Sequence, residues 1–422
     1  MAKARTREGK NGCGQGNSSS SKKLEGTHMS VWMDNAQTSL YIGIAVFFVL
    51  SVPGLIWQYV KYGQFTARRM IGWLAVCVYG SALVVYTFMP LPPNGAAWCA
   101  AHTVGSNTHP FAFVSDIRRE TSGMSLTQAA RSPVVLQVVF NVVLFVPFGV
   151  ILRRYFGRGV LLTTTTGLLT SLAIETLQYT GLLGIYPCAI RIADVDDVIT
   201  NTLGALVGAV LAPAFLWWMP SAKRASEKRL QPRSVTAWRR WTGMAIDAAL
   251  FFILSAGISV TYNVYELVAQ GAVAEQPPEW VQVVSVVLPV LAVFVLPAVG
   301  GRGASAGQKI VWLTPKWVSA DGITLTDSNP ALRILRSLVV IGPWVITDFL
   351  PDGGIAAGLL ALVSLVVLML TVGMVPFTAN HRSFSGWITR AVFVDSRDPF
   401  AGGPENGAPK PLTGAKKREL KI

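Results

Sequence analysis

Long uninterrupted apolar stretches dominate the chain, and short polar stretches separate them. About 20 apolar residues are enough to cross a bilayer as a helix. Nine stretches are predicted as membrane spans: 39–60, 70–90, 134–152, 159–183, 198–218, 242–262, 281–300, 337–350 and 354–377. The eighth is short and contains Pro343, so a half-span or a tilted segment is the alternative there. Helices satisfy their own backbone in lipid, so few strands are expected. The pattern predicts an all-α, polytopic helical membrane protein with two helical modules.

The composition agrees with this interpretation. Hydrophobic residues make up 51% of the 422 residues and charged residues only 14%, against about 25% charged in a soluble protein. The net charge of +14 does not require nucleic acid, because Lys and Arg concentrate in the cytoplasmic loops of membrane proteins. Basic residues follow the first, third, fifth and seventh spans and recur in the C-terminal tail. We therefore expect the N-terminus outside and the C-terminus in the cytoplasm.

Changes of composition suggest boundaries along the chain. Residues 1–38 are predicted to be a disordered basic tail, and 39–218 a five-span module. A basic cytoplasmic connector at 219–241, a second module at 242–395 and a basic tail at 396–422 follow. An outside tail that is basic breaks the charge rule. A native start at Met29 or Met33 would explain it, with the preceding residues not native.

The stretch Arg191–Gly208 places charge directly before a membrane helix and reads R-I-A-D-V-D-D-V-I-T-N-T-L-G-A-L-V-G. Ionisable groups at such a boundary usually face a protein interior or a water-filled cavity, where they mark a working site. Asp194, Asp197 and Asn201 have the i, i+3, i+7 spacing of one helix face. Glu175 is expected about 12 Å and Asn141 about 10 Å below the outer surface, at 1.5 Å per residue.

These side chains predict a polar pocket near the outer leaflet. The candidate ligand-binding residues are Asn141, Glu175, Gln178, Arg191, Asp194, Asp197 and Asn201. Arg191 would bind an anionic head group or pair with Asp194 or Asp197. Alternatively, the polar groups only bind one another and hold the helices together, with the two Asp residues capping span five. Gly204 and Gly208 form a G-x-x-x-G pattern that predicts close helix packing.

Other chemistry is weakly marked. Cys99 and Cys188 both fall on the predicted outer, oxidising side, where a disulfide is expected and two free thiols are the alternative. The sequence has no nucleophile elbow, no H-E-x-x-H motif and no phosphate-binding glycine loop. No catalytic residue, cofactor or metal site is predicted.

Three segments make the first module resemble the VanZ-like family. They are N-V-V-L-F-V-P-F-G from Asn141, S-L-A-I-E-T-L-Q from Ser171 and the motif from Arg191 to Gly204. His109–Phe111 also resembles the Pro-Phe of the family's long outer loop. The resemblance covers about residues 70–218 and implies a role in the envelope of a bacterial cell, with the chain multi-pass in its membrane.

The second half is similar to the RDD family of membrane modules over about residues 233–395. The similar segments are W-R-R-W-T-G-M-A-I-D at 238–247, G-A-S-A-G-Q-K-I from Gly303, A-D-G at 320–322 and A-L-R-I-L-R at 331–336. The resemblance singles out Arg240, Asp247 and Lys309. A salt bridge between Arg240 and Asp247, a lipid-phosphate contact, or an ordinary snorkelling arginine beside a helix-start carboxylate are the alternatives.

Three functions are weighed, in this order. The first is a non-transporting envelope protein that binds a lipid, a lipid-linked wall precursor or a lipoglycopeptide and contributes to the teicoplanin-type glycopeptide resistance that the VanZ resemblance implies. The second is a transporter of ions or small solutes through the RDD-like module. The third is an enzyme acting on lipid-linked substrates, with Glu175 as a base and paired Asp residues holding a cation. Membrane lipids or lipid-linked envelope precursors are the expected partners, no nucleic acid is, and homo-oligomerisation is left open.

Overall fold

A computed structural model describes residues 17–92, 95–101, 105–272, 276–300, 302–318, 325–350 and 354–398, with the backbone alone over 17–32. The chain divides into two compact units. The first contains residues up to Ser51 and from Ala67 to Lys223, and the second contains Val52–Thr66 and everything from Arg224 onwards.

Nine helical segments in the described part of the chain are long and apolar enough to cross a membrane. They are Met33–Tyr62, Ala67–Phe88, Pro133–Tyr155, Val160–Tyr179, Val195–Phe215, Ala237–Gln270, Glu279–Gly300, Pro330–Asp348 and Ile355–Phe377. Each corresponds to one predicted span, which confirms the all-α polytopic class. The eighth is a helix of 19 residues that begins at Pro330 and continues through Pro343. Its length exceeds the prediction because the helix starts earlier, where the Asn329 side chain accepts the Leu332 N–H.

The first unit is built from spans joined by short helices on the loops. Its helices are α1 (Asn17–Tyr62, continuing into the second unit), α2 (Ala67–Phe88), α3 (Gly95–Ala101), α4 (Ala112–Glu120), α5 (Leu126–Ala129), α6 (Pro133–Val150), α7 (Val160–Tyr179), α8 (Gly181–Gly184), α9 (Val195–Phe215) and α10 (Ala222–Glu227, ending in the second unit). A π-helical turn, Ile151–Tyr155, extends α6, and α8 is a single turn in which Leu182 and Leu183 are left-handed. Two short strands, β1 (Ser106–Asn107) and β2 (Ala193–Asp194), pair in parallel.

Close backbone contact joins α6 to α9. A Cβ atom at Gly204 would collide with the Val142 carbonyl, and one at Gly208 with the Val146 carbonyl. Gly149 on α6 meets the Ala205 carbonyl in the same way. Glycines that allow such contact are a common basis of helix association in membranes. This confirms the packing predicted from the G-x-x-x-G pattern.

The second unit contains the remaining spans and a small sheet. Its helices are α11 (Ala237–Gln270), α12 (Glu279–Val290), α13 (Leu296–Gly300), α14 (Ala306–Ile310), α15 (Pro330–Asp348), α16 (Ile355–Phe377) and α17 (Phe384–Ile388). A π-helical turn, Leu291–Val295, joins α12 to α13, and a 3₁₀ turn, Ala379–His381, follows α16. The antiparallel sheet has the order β4 (Leu325–Thr326), β3 (Leu313–Val318), β5 (Ala391–Asp395).

The domain boundaries stay predictions, and the structure groups the chain differently at two places. Residues 17–38 are helical as the beginning of α1, while residues 1–16 lie outside the described residues. Residues 52–66 group with the second unit, not with the predicted first module. The reason is packing: Tyr59 is buried in one apolar cluster with Ile246, Val311, Leu313 and Phe393.

Candidate functional site

The pairing of β1 with β2 brings the long loop before α4 beside the beginning of α9. Asn107 Nδ2 donates to Asp194 Oδ1 at 3.0 Å. The same oxygen accepts the Asp196 N–H at 2.8 Å, so Asp194 caps α9. An anionic cap is favourable at a helix N-terminus because the backbone N–H groups there lack partners. Asp194 thus fixes both the loop and the first turn of the helix.

Glu175 lies on α7 directly beneath this turn and is 7% exposed. Its Oε2 accepts the backbone N–H of Asp194 at 3.0 Å. No donor in the described part of the chain reaches its second carboxylate oxygen. A carboxylate held by one backbone N–H inside a span keeps acceptor capacity for another group.

Asp197 lies in the first turn of α9 and faces α6. Its Oδ1 accepts the Asn141 amide at 2.5 Å. Its other oxygen likewise has no donor among the described residues. Asp197 and Glu175 are near enough for their charges to repel each other. The structure therefore brings Asn141, Glu175, Asp194 and Asp197 together from three spans.

Asn201 lies two turns below Asp194 on α9 and is buried. Its amide donates to Ser171 Oγ on α7 at 2.9 Å. The Asn201 carbonyl oxygen is buried and has no hydrogen-bond partner in the ranges described. It is a further free acceptor in this region of the first unit.

Gln178 and Arg191 are used differently from what the sequence suggested. The Gln178 amide donates to the Thr87 carbonyl at 2.7 Å and so connects α7 to α2. The exposed Arg191 donates to the Met89 carbonyl at 3.1 Å. Arg191 attracts the charges of Glu175 and Asp197, but within the described ranges it forms no ion pair with an Asp. Of the two alternatives for Arg191, the structure does not show the pairing with Asp194 or Asp197, because its guanidinium turns to the end of α2. Binding of an anionic head group by Arg191 stays a prediction.

Asp196 was not among the predicted site residues, yet it organises the outer loop. Its carboxylate, on a residue that is 4% exposed, accepts the N–H of Phe111 at 2.6 Å and of Phe113 at 2.9 Å. Phe111 has a left-handed backbone with φ 65°, a conformation that costs a non-glycine residue about 1–2 kcal/mol. A fixed acceptor offsets that cost. The sequence shows Asp196 as the second Asp of A-D-V-D-D and singles out His109–Phe111 separately, but it does not show that the two segments meet.

A disulfide joins Cys99 of α3 to Cys188 of the loop before β2, with the Cα atoms 5.7 Å apart. The two cysteines are 89 residues apart in the sequence. The loop that carries β1 is therefore fixed to the site by the strand pair, by Asp196 and by this covalent link. Cys77 is a buried free thiol within α2.

The site is rich in acceptors and has a negative charge. The site contains four carboxylates, on Glu175, Asp194, Asp196 and Asp197. Arg191 is the one basic side chain named in this site, and it attracts the charges of Glu175 and Asp197. Such a set can accept hydrogen bonds from hydroxyl groups or bind an ammonium group. In the part of the chain that is described, no group of three or more His, Cys, Asp or Glu side chains is placed to hold a metal ion.

The residues singled out in the second unit do not form one cluster. Asp247 accepts Ser305 Oγ and the Gly307 N–H, both at 2.6 Å, and so holds the beginning of α14. Arg240 lies over the Phe393 ring and donates to Ser383 Oγ at 3.1 Å. The alternative of an Arg240–Asp247 salt bridge is therefore wrong. Lys309 is exposed, and its ammonium group forms no hydrogen bond or ion pair with the described residues.

The fold and the site define a polytopic membrane protein with an acceptor-rich site where three spans end. Residues 76–217 match the family model VanZ/LLP1, and every residue of that site lies inside the match. The match confirms the VanZ-like resemblance of the first module and supports a VanZ-like envelope protein. No curated protein and no solved structure matches the chain. Nothing in these comparisons supports the RDD resemblance, which stays a prediction, and residues 320–322 lie outside the described residues.

Proposed function

We propose that the first unit binds an amphipathic envelope molecule whose head group carries hydroxyl or ammonium donors. The observation behind this is that Glu175 and Asp197 each offer a carboxylate oxygen that none of the described residues uses. A carboxylate oxygen without a protein donor keeps acceptor capacity for a ligand. A head group that donates to both oxygens would use that capacity, and the fully buried Asn201 Oδ1 is a third acceptor without a partner among the described residues.

The chemistry of the site favours a lipid, a lipid-linked wall precursor or a lipoglycopeptide as this ligand. The free acceptors lie at the ends of membrane spans, so a ligand anchored in the bilayer can present its head group there. Sugar hydroxyls and peptide ammonium groups are donors that suit carboxylates. The basic loops further favour an arrangement with the N-terminus outside and the C-terminus cytoplasmic, which turns the site to the outer leaflet.

The VanZ resemblance connects such binding to tolerance of teicoplanin-type glycopeptides. The test is the double variant Glu175→Gln with Asp197→Asn, expressed in a susceptible bacterium and assayed for growth in teicoplanin. These amides keep the oxygens that accept the Asp194 and Asn141 donors but remove both charges and one acceptor on each side chain. If the carboxylates only held helices together, the amides would preserve tolerance.

We expect the double variant to lose the tolerance at unchanged abundance in the membrane. The matched control is Asp116→Asn, which changes the same kind of group in an exposed ion pair with Arg119. Full tolerance in the double variant would remove the proposal. Transport through the second unit and catalysis on a lipid-linked substrate have no contact among the described residues that favours them.

A further inference from the structure

A cavity of about 340 Å³ opens in the second unit where two candidate spans end. Span α1 ends at Tyr62 and span α11 begins at Ala237. The lining comes from residues 59–65 and 233–239. Small-molecule sites usually measure about 300–1,000 Å³, so the cavity is large enough for a small polar head group.

Arg233 lines this cavity and is half-buried. Its guanidinium forms no hydrogen bond or ion pair with any described residue, and its Nε is fully buried without a partner. The backbone N–H of Arg233 is the part that binds protein, at Asp395 Oδ2, 2.9 Å away. A guanidinium at a cavity whose donors are not used by the described residues can bind an anion there through charge-assisted hydrogen bonds.

The charges around Arg233 leave a positive excess. Asp395 forms ion pairs with Arg239 at 2.9 Å and with Arg397 at 2.6 Å. One carboxylate therefore serves two guanidiniums, and Arg233 is not neutralised. Burial, and then repulsion by Arg397, lowers the pKa of Arg233. A bound anion would oppose both effects.

The beginning of α11 adds donors to the same cavity. Thr236 Oγ1 accepts the Arg239 N–H and the Thr236 carbonyl accepts the Arg240 N–H. Trp238 lines the cavity, and its backbone N–H has no acceptor among the described residues. Free N–H groups and the helix dipole together favour an anion at a helix N-terminus.

Aromatic residues line the rest of the cavity. Tyr59, Phe65 and Trp238 contribute to it, and the rings of Phe65 and Trp238 lie 6.1 Å apart. Tyr and Trp are enriched at the boundary between membrane and water. We propose that this cavity binds a phosphoryl group through Arg233 and the N-terminus of α11, carried either by an anionic phospholipid head group or by a soluble phosphate ester.

The test uses the full-length protein, purified in detergent, and native mass spectrometry of bound molecules. The probes are short-chain phosphatidylglycerol, short-chain phosphatidylcholine, glycerol phosphate and inorganic phosphate. We expect phosphatidylglycerol or glycerol phosphate to bind the native chain and to bind Arg233→Gln about tenfold or more weakly, since a charge-assisted hydrogen bond is lost. Arg233→Lys should retain part of the affinity because it keeps the charge.

Comparing the probes distinguishes the two sources of the phosphoryl group. Tighter binding of phosphatidylglycerol than of glycerol phosphate identifies a lipid, and equal binding identifies a soluble ester. The matched control is Arg390→Gln, an exposed arginine of the same unit outside the cavity. Ser234→Trp fills the cavity without changing a charge. If Arg233→Gln does not fold, weaker binding by Ser234→Trp supports the cavity as the binding site, and unchanged binding contradicts it. Equal binding of every probe by the native chain, Arg233→Gln and Ser234→Trp would overturn the proposal.

Discussion

Replacing Asp196 by Asn should release the outer loop while leaving the membrane helices in place. The carboxylate accepts two backbone N–H groups, those of Phe111 and Phe113, at 2.6 and 2.9 Å. Asn has one acceptor oxygen, and its NH₂ group would face the other N–H donor. The variant therefore loses one of the two hydrogen bonds that hold the left-handed backbone of Phe111 in place.

The size of the effect follows from that single lost bond. A hydrogen bond to a charged group contributes about 1.5–3 kcal/mol, and about 1.4 kcal/mol corresponds to a factor of ten in an equilibrium constant. Opening of the loop should therefore become about 10- to 150-fold more frequent. Hydrogen–deuterium exchange, followed on peptides that contain Phe111 and Phe113, measures this directly.

The control for this experiment is Asp116→Asn on the neighbouring helix α4. Asp116 forms an exposed pair with Arg119, and exposed pairs contribute about 0–1 kcal/mol. Its exchange should change about fivefold or less. Unaltered exchange at Phe111 and Phe113 in Asp196→Asn would refute the assigned role of Asp196.

Two further changes test the packing of each unit. Gly208→Ala should lower the free energy of unfolding by about 1–3 kcal/mol, since its methyl group meets the Val146 carbonyl; thermal unfolding in detergent measures this, and Gly257→Ala, which meets open space, should not lower it. Asp395 has a lowered pKa: burial opposes ionisation, but the hydrogen bonds from Arg397 and the charge of Arg239 outweigh it. Its contribution to stability is therefore present above the unfolded pKa of about 3.9 and is lost as pH falls through the lower folded pKa. Asp395→Asn should unfold at a lower temperature at pH 7 and depend less on pH below about 4; a native and a variant curve of equal slope there would contradict the ion-pair assignment.

The membrane spans could be predicted because apolar length is a local property of the sequence. All nine predicted spans have a counterpart within the described residues. The short sheet β4–β3–β5 could not be predicted, because its strands have two to six residues and lie between helices. Their pairing depends on contacts such as Thr314 with Val394, which are remote in sequence.

The site shows the same division between local and remote information. Depth arithmetic placed Asn141 and Glu175 at one level, and the structure indeed brings them to Asp197 and Asp194. It could not tell which partner each group takes. The role of Asp196 depends on a segment more than 80 residues away. The sequence shows the acidic run and His109–Phe111, but composition and periodicity do not show that they contact each other.

If Glu175 and Asp197 each offer one carboxylate oxygen to a head group, an experimental density map of the protein purified from its own membrane will show it. We expect density for a head group with donor atoms about 2.5–3.2 Å from those two oxygens, and its loss in the Glu175→Gln, Asp197→Asn variant. A map in which Glu175 points into acyl chains, or in which other protein groups occupy both oxygens, would contradict it.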